Sequence, residues 1–210
     1  MTEENLRLNH DTTLSRDDLT TIVSMIPDGS RILDLGCGSG RLLRLLAELK
    51  HGKVMGVECD QSKVIECTGR GVPVIQADLD EGLPDFADQS YDFVILSRTL
   101  QAVKRPDQLL DEIVRVGKTG IISFINFGHC SARLQLLFGD MPETKTLPWS
   151  WFDTPNIHLA TIADFRRLCK EKQIRILREI PLSMRTDPFA RLADLWPNFF
   201  ASTCVFILQK

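Results

Sequence analysis

Asp34-Leu35-Gly36-Cys37-Gly38-Ser39-Gly40 is the stretch that decides the fold of this 210-residue chain. It follows a short run ending in Ile32-Leu33 and precedes Leu42-Leu43-Arg44-Leu45-Leu46, whose apolar residues suit a helix better than a strand. The segment therefore predicts a strand, a glycine loop and a helix in succession. Glycines let the backbone turn sharply and approach a ligand, and the first N–H groups of a helix remain available to polar ligand atoms. We expect a nucleotide-like cofactor at this junction.

The spacing of the glycines bears on which cofactor that is. The dinucleotide fingerprint G-x-G-x-x-G would need a glycine at position 41, where this chain has Arg41. The loop is instead G-x-G-x-G preceded by an acid, Asp34, and it resembles motif I of S-adenosylmethionine (SAM) methyltransferases. An ammonium group of SAM beside the Asp34 carboxylate is electrostatically favourable. Taken alone, the loop could equally be a strand-to-helix turn that binds nothing.

Two acidic residues downstream favour the cofactor interpretation. Val54–Val57 is a predicted second strand, and Glu58 stands at its end, where a carboxylate can accept hydrogen bonds from both ribose hydroxyls. Val72–Gln76 predicts a third, short strand, and Asp78 and Leu79 follow it. The resemblance to methyltransferases implies that Asp78 accepts the adenine amino group while Leu79 contacts the ring. The predicted set for SAM or S-adenosylhomocysteine is Asp34, Gly36, Cys37, Gly38, Gly40, Glu58, Cys59, Asp78, Leu79 and Ser97.

Strands and helices continue to alternate along the rest of the chain. Further strands are predicted at Asp92–Leu96, Gly120–Phe124, Ile174–Ile180 and Thr203–Leu208. Helices are predicted from a capping box at Ser15-Arg16-Asp17-Asp18 through Ile26, over Pro106–Val116 with Gly117 as cap, and from Thr161-Ile162-Ala163-Asp164 onward. The alternation predicts one α/β domain over residues 15–210, preceded by a polar segment over residues 1–14. The resemblance of the glycine loop to motif I of SAM methyltransferases implies that this domain is Rossmann-like and of the class I SAM-methyltransferase type. The alternation predicts a largely parallel sheet with helices on both faces, and the resemblance to SAM methyltransferases implies an antiparallel C-terminal strand.

The composition predicts a cytoplasmic globular protein, with 43% hydrophobic residues and a net charge of -3. This balance lacks the basic footprint of a nucleic-acid-binding protein, and no basic cluster or long apolar run indicates a membrane partner. The polar N-terminus lacks the apolar core of a signal peptide. The six cysteines form no C-x-x-C pair, so we expect reduced thiols and no metal site.

Several longer runs carry a more specific resemblance. They are Asp78–Leu83, Tyr91–Ser97, Thr99–Gln101, Asn126–Gly128 and Asp153–Leu159. Together they resemble the MetW family of methionine biosynthesis proteins over roughly residues 15–180. The chain departs from the pattern of that family at Arg98, Ile125 and Cys130. The resemblance implies a SAM-methyltransferase fold and a role in methionine biosynthesis alongside MetX, the homoserine O-acyltransferase.

Two functions of different class are compatible with these residues. The first, which we favour, is a SAM-binding accessory or regulatory partner of the acyltransferase, because the chain has no G-x-S-x-G nucleophile elbow of its own. The second is a SAM-dependent methyltransferase acting on a small molecule, with His129 or His158 as the base. Each imidazole could instead cap a loop, so the catalytic residues stay unassigned. A dehydrogenase, the third alternative, is disfavoured by Arg41.

A long apolar stretch lies between the predicted fifth strand and the helix that starts near Thr161. It spans residues 134–152 and is rich in leucine, phenylalanine and tryptophan. Such a stretch could cover the cofactor as a lid, form a protein interface or pack into the core. The sequence leaves these three alternatives open.

Overall fold

The computed structural model describes residues 17–183, 187 and 190–210. The predicted polar segment 1–14 lies outside the described residues, as do Ser15 and Arg16 of the predicted capping box. The helices are α1 Asp17–Met25, α2 Arg41–Lys50, α3 Gln61–Gly69, α4 Pro106–Val116, α5 Cys130–Leu137, α6 Ile162–Glu171 and α7 Pro197–Phe200. The strands are β1 Arg31–Leu35, β2 Lys53–Glu58, β3 Val74–Gln76, β4 Tyr91–Ser97, β5 Gly117–Ile125, β6 Arg175–Leu182 and β7 Thr203–Gln209.

All of these strands join one sheet in the order β3-β2-β1-β4-β5-β7-β6. The pairs from β3 to β5 are parallel, whereas β7 runs antiparallel to both β5 and β6. The predicted largely parallel sheet with an antiparallel C-terminal strand is therefore confirmed. The order of the strands reverses between β1 and β4, and ligands of open α/β sheets bind at the carboxyl ends of the strands beside such a reversal.

Apolar side chains cover both faces of the sheet. Ile32, Ile95 and Ile121 pack with α1, α2 and Cys67 of α3 on one face. Their neighbours along the same strands point the other way. Leu33, after Ile32, and Leu96, after Ile95, pack with α4 and α6 on the opposite face. Successive side chains of a strand point to opposite faces, so buried strands with helices on both sides are apolar throughout.

Element boundaries differ from the sequence expectations in a few places. Gly117 does donate its N–H to the carbonyl of Ile113, but its backbone is extended and it begins β5 three residues earlier than predicted. A Cβ on Gly117 would lie 2.7 Å from Cγ2 of Val94, which explains why glycine allows this close approach to β4. The helix after Thr161 matches its prediction, since Thr161 and Asp164 form a reciprocal capping box. Helices α3, α5 and α7 were missed.

Candidate functional site

The loop between β1 and α2 is held against the end of β2. The backbone amides of Gly36 and Cys37 both donate to the carbonyl of Val57, at 2.8 and 3.1 Å. Gly36 has a φ of 66°, and a Cβ there would lie 2.6 Å from Cγ2 of Thr99. Glycine is therefore required at this position for both its backbone conformation and its closeness to Thr99. Gly38 and Gly40 also have positive φ angles.

Glu58, at the end of β2, faces this loop and binds its backbone. Its Oε2 accepts a hydrogen bond from the amide of Gly38 at 2.8 Å, while Oε1 accepts from the amides of Cys59 at 2.9 Å and Asp60 at 3.1 Å. The residue is 9% exposed. The thiol of Cys59 also donates to Oε1, at 3.6 Å. A carboxylate oxygen offers about two acceptor positions, so the single bond to Oε2 leaves capacity there for a ligand hydroxyl. The structure thus brings Glu58 and the glycine loop together, as the spacing of these residues in the sequence predicts.

Asp34, in β1, and Cys37, in the loop that follows it, are both buried. Asp34 is the last residue but one of β1, close to the carboxyl edge of the sheet, and it is 3% exposed. The sulfur of Cys37 lies 3.7 Å from that of Cys67, which donates to the carbonyl of Gly38. Burial, and then the Asp34 carboxylate, raise the pKa of Cys37 far above its ordinary value. A buried thiol with a raised pKa is a poor nucleophile, and the contact of Cys37 with a cofactor stays a prediction.

The outer part of the predicted set follows β3 and β2. The amide of Ala77 donates to the carbonyl of Glu58 at 3.1 Å, which places the exposed Asp78 one residue beyond this link. Asp78 accepts a hydrogen bond from the amide of Asp80 and begins a short 3-10 turn, while the side chain of Leu79 packs into the core. Cys59 is exposed as a residue. Its thiol still loses some contact with water, and this desolvation, followed by the Glu58 carboxylate, raises the pKa of the thiol. Their contacts with a cofactor stay predictions.

Ser97 lies in a different environment, a buried polar cluster between the sheet and α1. Its Oγ is 3.2 Å from Oδ2 of Asp18 and 3.2 Å from Oγ of Ser123. Nε of Arg98 lies 3.2 Å from the same carboxylate oxygen, in an ion pair. Sequence reasoning used Asp18 only as a helix-capping residue and missed this cluster, although an acid beside the apolar stripe of α1 was a visible signal. The assignment of Ser97 to the cofactor site stays a prediction.

The two candidate bases have different surroundings. His158 is exposed, and its Nε2 lies 3.3 Å from the carbonyl of Lys104, which matches the loop-capping alternative. His129 caps α5, because its Nδ1 accepts from the amide of Ser131 at 3.3 Å. Its Nε2 also lies 2.9 Å from Oδ2 of Asp187. This carboxylate was missed because it lies 58 residues away in the sequence.

The apolar stretch 134–152 is largely at the surface. Phe138 is 79% exposed and Trp151 is 71% exposed, whereas Leu147 is buried. Leu137 and Phe152 are similarly exposed. Core packing is therefore wrong for most of these side chains, and the lid and the interface remain as alternatives. We call Leu134, Leu137, Phe138, Met141, Trp151 and Phe152 the apolar patch.

Other classes of site receive no support from the residues that the structure describes. Within residues 17–183, 187 and 190–210, no group of three or more His, Cys, Asp or Glu side chains could hold a metal ion. No helix in this part of the chain is long and apolar enough to cross a membrane.

The strand order, the glycine loop and the acid at the end of β2 define the class I SAM-methyltransferase fold. The structure is similar to an S-adenosylmethionine dependent methyltransferase from Mesorhizobium loti, with a TM-score of 0.65 and 18% identity over 91% of this chain and 96% of that one. It is also similar to the [4+2]-cyclase SpnF, with a TM-score of 0.64 and 17% identity over 92% and 81% of the two chains. The fold therefore carries more than one kind of chemistry, and these likenesses define the fold alone.

The sequence narrows the class to one family. The sequence model of the methionine biosynthesis protein MetW matches residues 16–208, and the chain belongs to this family. It is 36% identical to the bifunctional methionine biosynthesis protein MetXA/MetW of Rhodopirellula baltica, over 223 aligned residues. That alignment covers 100% of this chain and 35% of the relative, so the chain spans about a third of the length of the curated relative.

Proposed function

We propose that this protein binds SAM, or S-adenosylhomocysteine, and acts as an accessory or regulatory partner of a homoserine O-acyltransferase of the MetX type. The observation that carries the proposal is the hydrogen bond between Glu58 and Gly38. It joins the glycine loop to the acid that we assign to the ribose, in a chain whose relative is a bifunctional MetXA/MetW protein.

The SAM half of the proposal rests on how the carboxyl edge of the sheet is arranged. Three acids lie near the carboxyl ends of the neighbouring strands β1, β2 and β3: Asp34 is the last residue but one of β1, Glu58 ends β2, and Asp78 follows β3 by two residues. Adjacent strands lie about 4.8 Å apart, so three consecutive strands spread these carboxylates over roughly 10 Å. We assign the ammonium group of SAM to Asp34, its ribose to Glu58 and its adenine to Asp78.

The partner half of the proposal rests on the fused relative and on the apolar patch. Fusion of two proteins into one chain keeps them at a high effective concentration, as expected for proteins that work together. The apolar patch supplies exposed aromatic side chains, which are enriched at the centres of protein interfaces. The acyl-transfer nucleophile then belongs to the partner, consistent with the missing G-x-S-x-G elbow.

Bound SAM gives this partnership a regulatory purpose, because SAM is made from methionine, the end product of the pathway. A SAM-dependent change in the affinity for the partner is the coupling that such a regulator requires.

Co-purification and rate measurement test the proposal. The protein and its cognate homoserine O-acyltransferase are mixed with and without SAM, passed over an affinity tag on one of them, and assayed for acyl-homoserine formation. We expect association and a changed rate that depends on SAM. No association together with an unchanged rate would refute the proposed partnership.

A small-molecule methyltransferase is a second candidate, favoured by the pairing of His129 with Asp187. A base oriented by a carboxylate suits an acceptor that loses a proton as it is methylated. Formation of S-adenosylhomocysteine that depends on a defined carboxylate, hydroxyl or amine metabolite would support this candidate over the first.

A further inference from the structure

Asn156 is a buried polar residue in a segment whose other side chains are accessible. In the run 151–159, which leads toward α6, Asn156 alone is buried, and it is 8% exposed. The apolar Ile157 beside it is 56% exposed, and Leu159 is about equally exposed. A surface segment usually turns its apolar side chains inward and its polar ones outward. This reversed arrangement indicates that Asn156 is buried for a reason other than packing.

The side-chain amide of Asn156 is buried without a hydrogen bond to the rest of the fold. Among the residues that the structure describes, Nδ2 of Asn156 has no hydrogen-bond partner and almost no accessible surface. The other buried asparagine, Asn126, differs: its Nδ2 donates to the carbonyl of Ala201 at 2.7 Å, and its Oδ1 accepts from the amide of Gly128 at 2.9 Å. Asn126 therefore supports the fold, whereas an unpaired buried donor weakens it and suits a residue whose partner is a ligand.

Hydrogen bonds hold the segment of Asn156 beside the ends of two strands. The amides of Ile157 and His158 both donate to the carbonyl of Gln101, at 2.9 and 3.0 Å. The buried side chain of Gln101 donates in return to the carbonyl of His158 and accepts from the amide of Ile125, at the end of β5. Since Gln101 follows β4, Asn156 lies near the carboxyl ends of β4 and β5.

The turn that follows β4 also contacts the glycine loop. Thr99 stands two residues before Gln101, and its Cγ2 would lie 2.6 Å from a Cβ on Gly36. The glycine loop and the segment of Asn156 therefore contact the same short turn. This turn lies where the order of the strands reverses between β1 and β4, the place where open α/β sheets bind ligands.

The direction of SAM along the sheet identifies the group that Asn156 would meet. In the proposed function the adenine lies at Asp78, beyond β3, and the ribose lies at Glu58, at the end of β2. Because β1 and β4 come next in the sheet, the methionine moiety extends toward them and toward Asn156. The carboxylate is the strong acceptor of this moiety, since its ammonium and sulfonium groups are positively charged.

We propose that Asn156 binds the carboxylate of the methionine moiety of SAM through its Nδ2–H donor. This inference rests on the proposed binding of SAM, and it adds to that site a residue from outside the glycine loop and the strand-end acids. Asn156 must rotate toward the ligand, because Nδ2 has almost no accessible surface in this structure. Changes of side-chain rotamer on binding are common.

Calorimetric titration of the full chain with two matched probes tests this contact. SAM carries the carboxylate, and S-adenosylmethioninamine, its decarboxylated form, has the same adenosyl, sulfonium and ammonium groups without it. We expect the wild type to bind SAM at least about tenfold more tightly than the decarboxylated form. Asn156→Leu should weaken SAM about tenfold and leave the affinity for the decarboxylated form unchanged. Ile157→Ala, which alters an exposed neighbour, should bind both probes as the wild type does.

Thermal unfolding without ligand separates this role from a structural one. Leucine keeps the branched shape of asparagine and removes the unpaired donor, so Asn156→Leu should unfold at the same temperature as the wild type or at a higher one. Asn156→Ala, which cannot overpack the site, should show the same loss of affinity for SAM.

The possible results distinguish this contact from the proposed function. Unchanged affinity for SAM in both variants, or an equal loss for both probes, would overturn the inference alone. A wild type that does not bind SAM would refute the SAM half of the proposed function and this contact with it. Binding of SAM that depends on Asn156, without association with the acyltransferase, would support the contact and refute the partnership alone.

Discussion

Glu58 shows how a single acid at a strand end can organise a binding loop. The sequence indicates its position, eighteen residues after Gly40, because strand and loop lengths place it beside the glycine loop. The three backbone amides that its carboxylate accepts could not be predicted, since they depend on how the loop turns back over β2. Loss of this carboxylate should therefore affect the shape of the loop as well as its ligand.

Gly36 gives a prediction about the stability of the same loop. We expect Gly36→Ala to lower the free energy of unfolding by about 2–3 kcal/mol, because alanine would be strained at positive φ and its Cβ would clash with Thr99. Gly38→Ala is the matched control, since Gly38 has a similar φ but open space around its Cβ, and it should cost only about 1 kcal/mol. Urea denaturation of both variants measures the difference, and equal losses would contradict the steric part of this account.

Asp92 gives a prediction about pH. Hydrogen bonds from the side chain of Arg31, from Lys118 and from the backbone amide of Arg31 lower the pKa of its carboxyl well below the ordinary value. A carboxyl with a lowered native pKa contributes stability above its unfolded pKa and loses it as the pH falls toward the native pKa. We expect Asp92→Asn to cost about 1 kcal/mol near neutrality and progressively less below about pH 4.

Urea denaturation of the wild type and this variant across that pH range checks the expectation. Asp28→Asn serves as the control, because Asp28 is largely exposed and 3.7 Å from Lys50, and it should change stability little at any pH. A penalty for Asp92→Asn that does not shrink in acid would show that the ion pairs of Asp92 are not its source.

At the scale of elements, the helices with an apolar stripe were predictable and α5 was not. α4 matches its predicted bounds because Leu109, Leu110 and Ile113 all face the core. In α5 the buried residues are the small Cys130 and Ala132, while its leucines are exposed. The usual relation between apolar periodicity and burial fails there, as expected if those leucines meet a partner.

The apolar patch therefore carries a prediction about association. We expect Leu137→Ser and Phe138→Ser to leave the free energy of unfolding within about 0.5 kcal/mol of wild type, because both side chains are largely exposed. The same variants should weaken co-purification of the homoserine O-acyltransferase at least about tenfold if they lie in the interface. Ile65→Ser, an exposed apolar residue on α3, is the control and should not affect association. Retained association of both patch variants would leave the lid as the better explanation.

At the scale of the whole molecule, the strands could be predicted from the sequence, but the side-chain contacts between residues far apart in the sequence could not. The alternation of strands and helices predicted a largely parallel sheet, since right-handed crossovers leave few arrangements. The antiparallel C-terminal strand came from the resemblance to SAM methyltransferases. Contacts such as His129 with Asp187 and Ser97 with Asp18 join residues 58 and 79 positions apart. Local periodicity carries no information about such pairs, so the carboxylate partner of His129 could not be predicted from the sequence.

The glycine loop and Glu58 form the candidate SAM site at the carboxyl edge of the sheet, beside β1 and β2. A SAM site together with an exposed apolar patch is an arrangement suited to a regulator that senses a ligand and reports to a partner.

Calorimetric titration with SAM tests the central claim most directly, with the wild type and Glu58→Gln compared at a temperature where both are folded. We predict one SAM site per chain, with an affinity at least about tenfold weaker in Glu58→Gln because the ribose loses a charged acceptor. Asp60→Asn is the matched control, since it changes a neighbouring acid while keeping the cap of α3, and it should bind SAM as the wild type does. The absence of binding to the wild type, or an unchanged affinity in Glu58→Gln, would contradict the account.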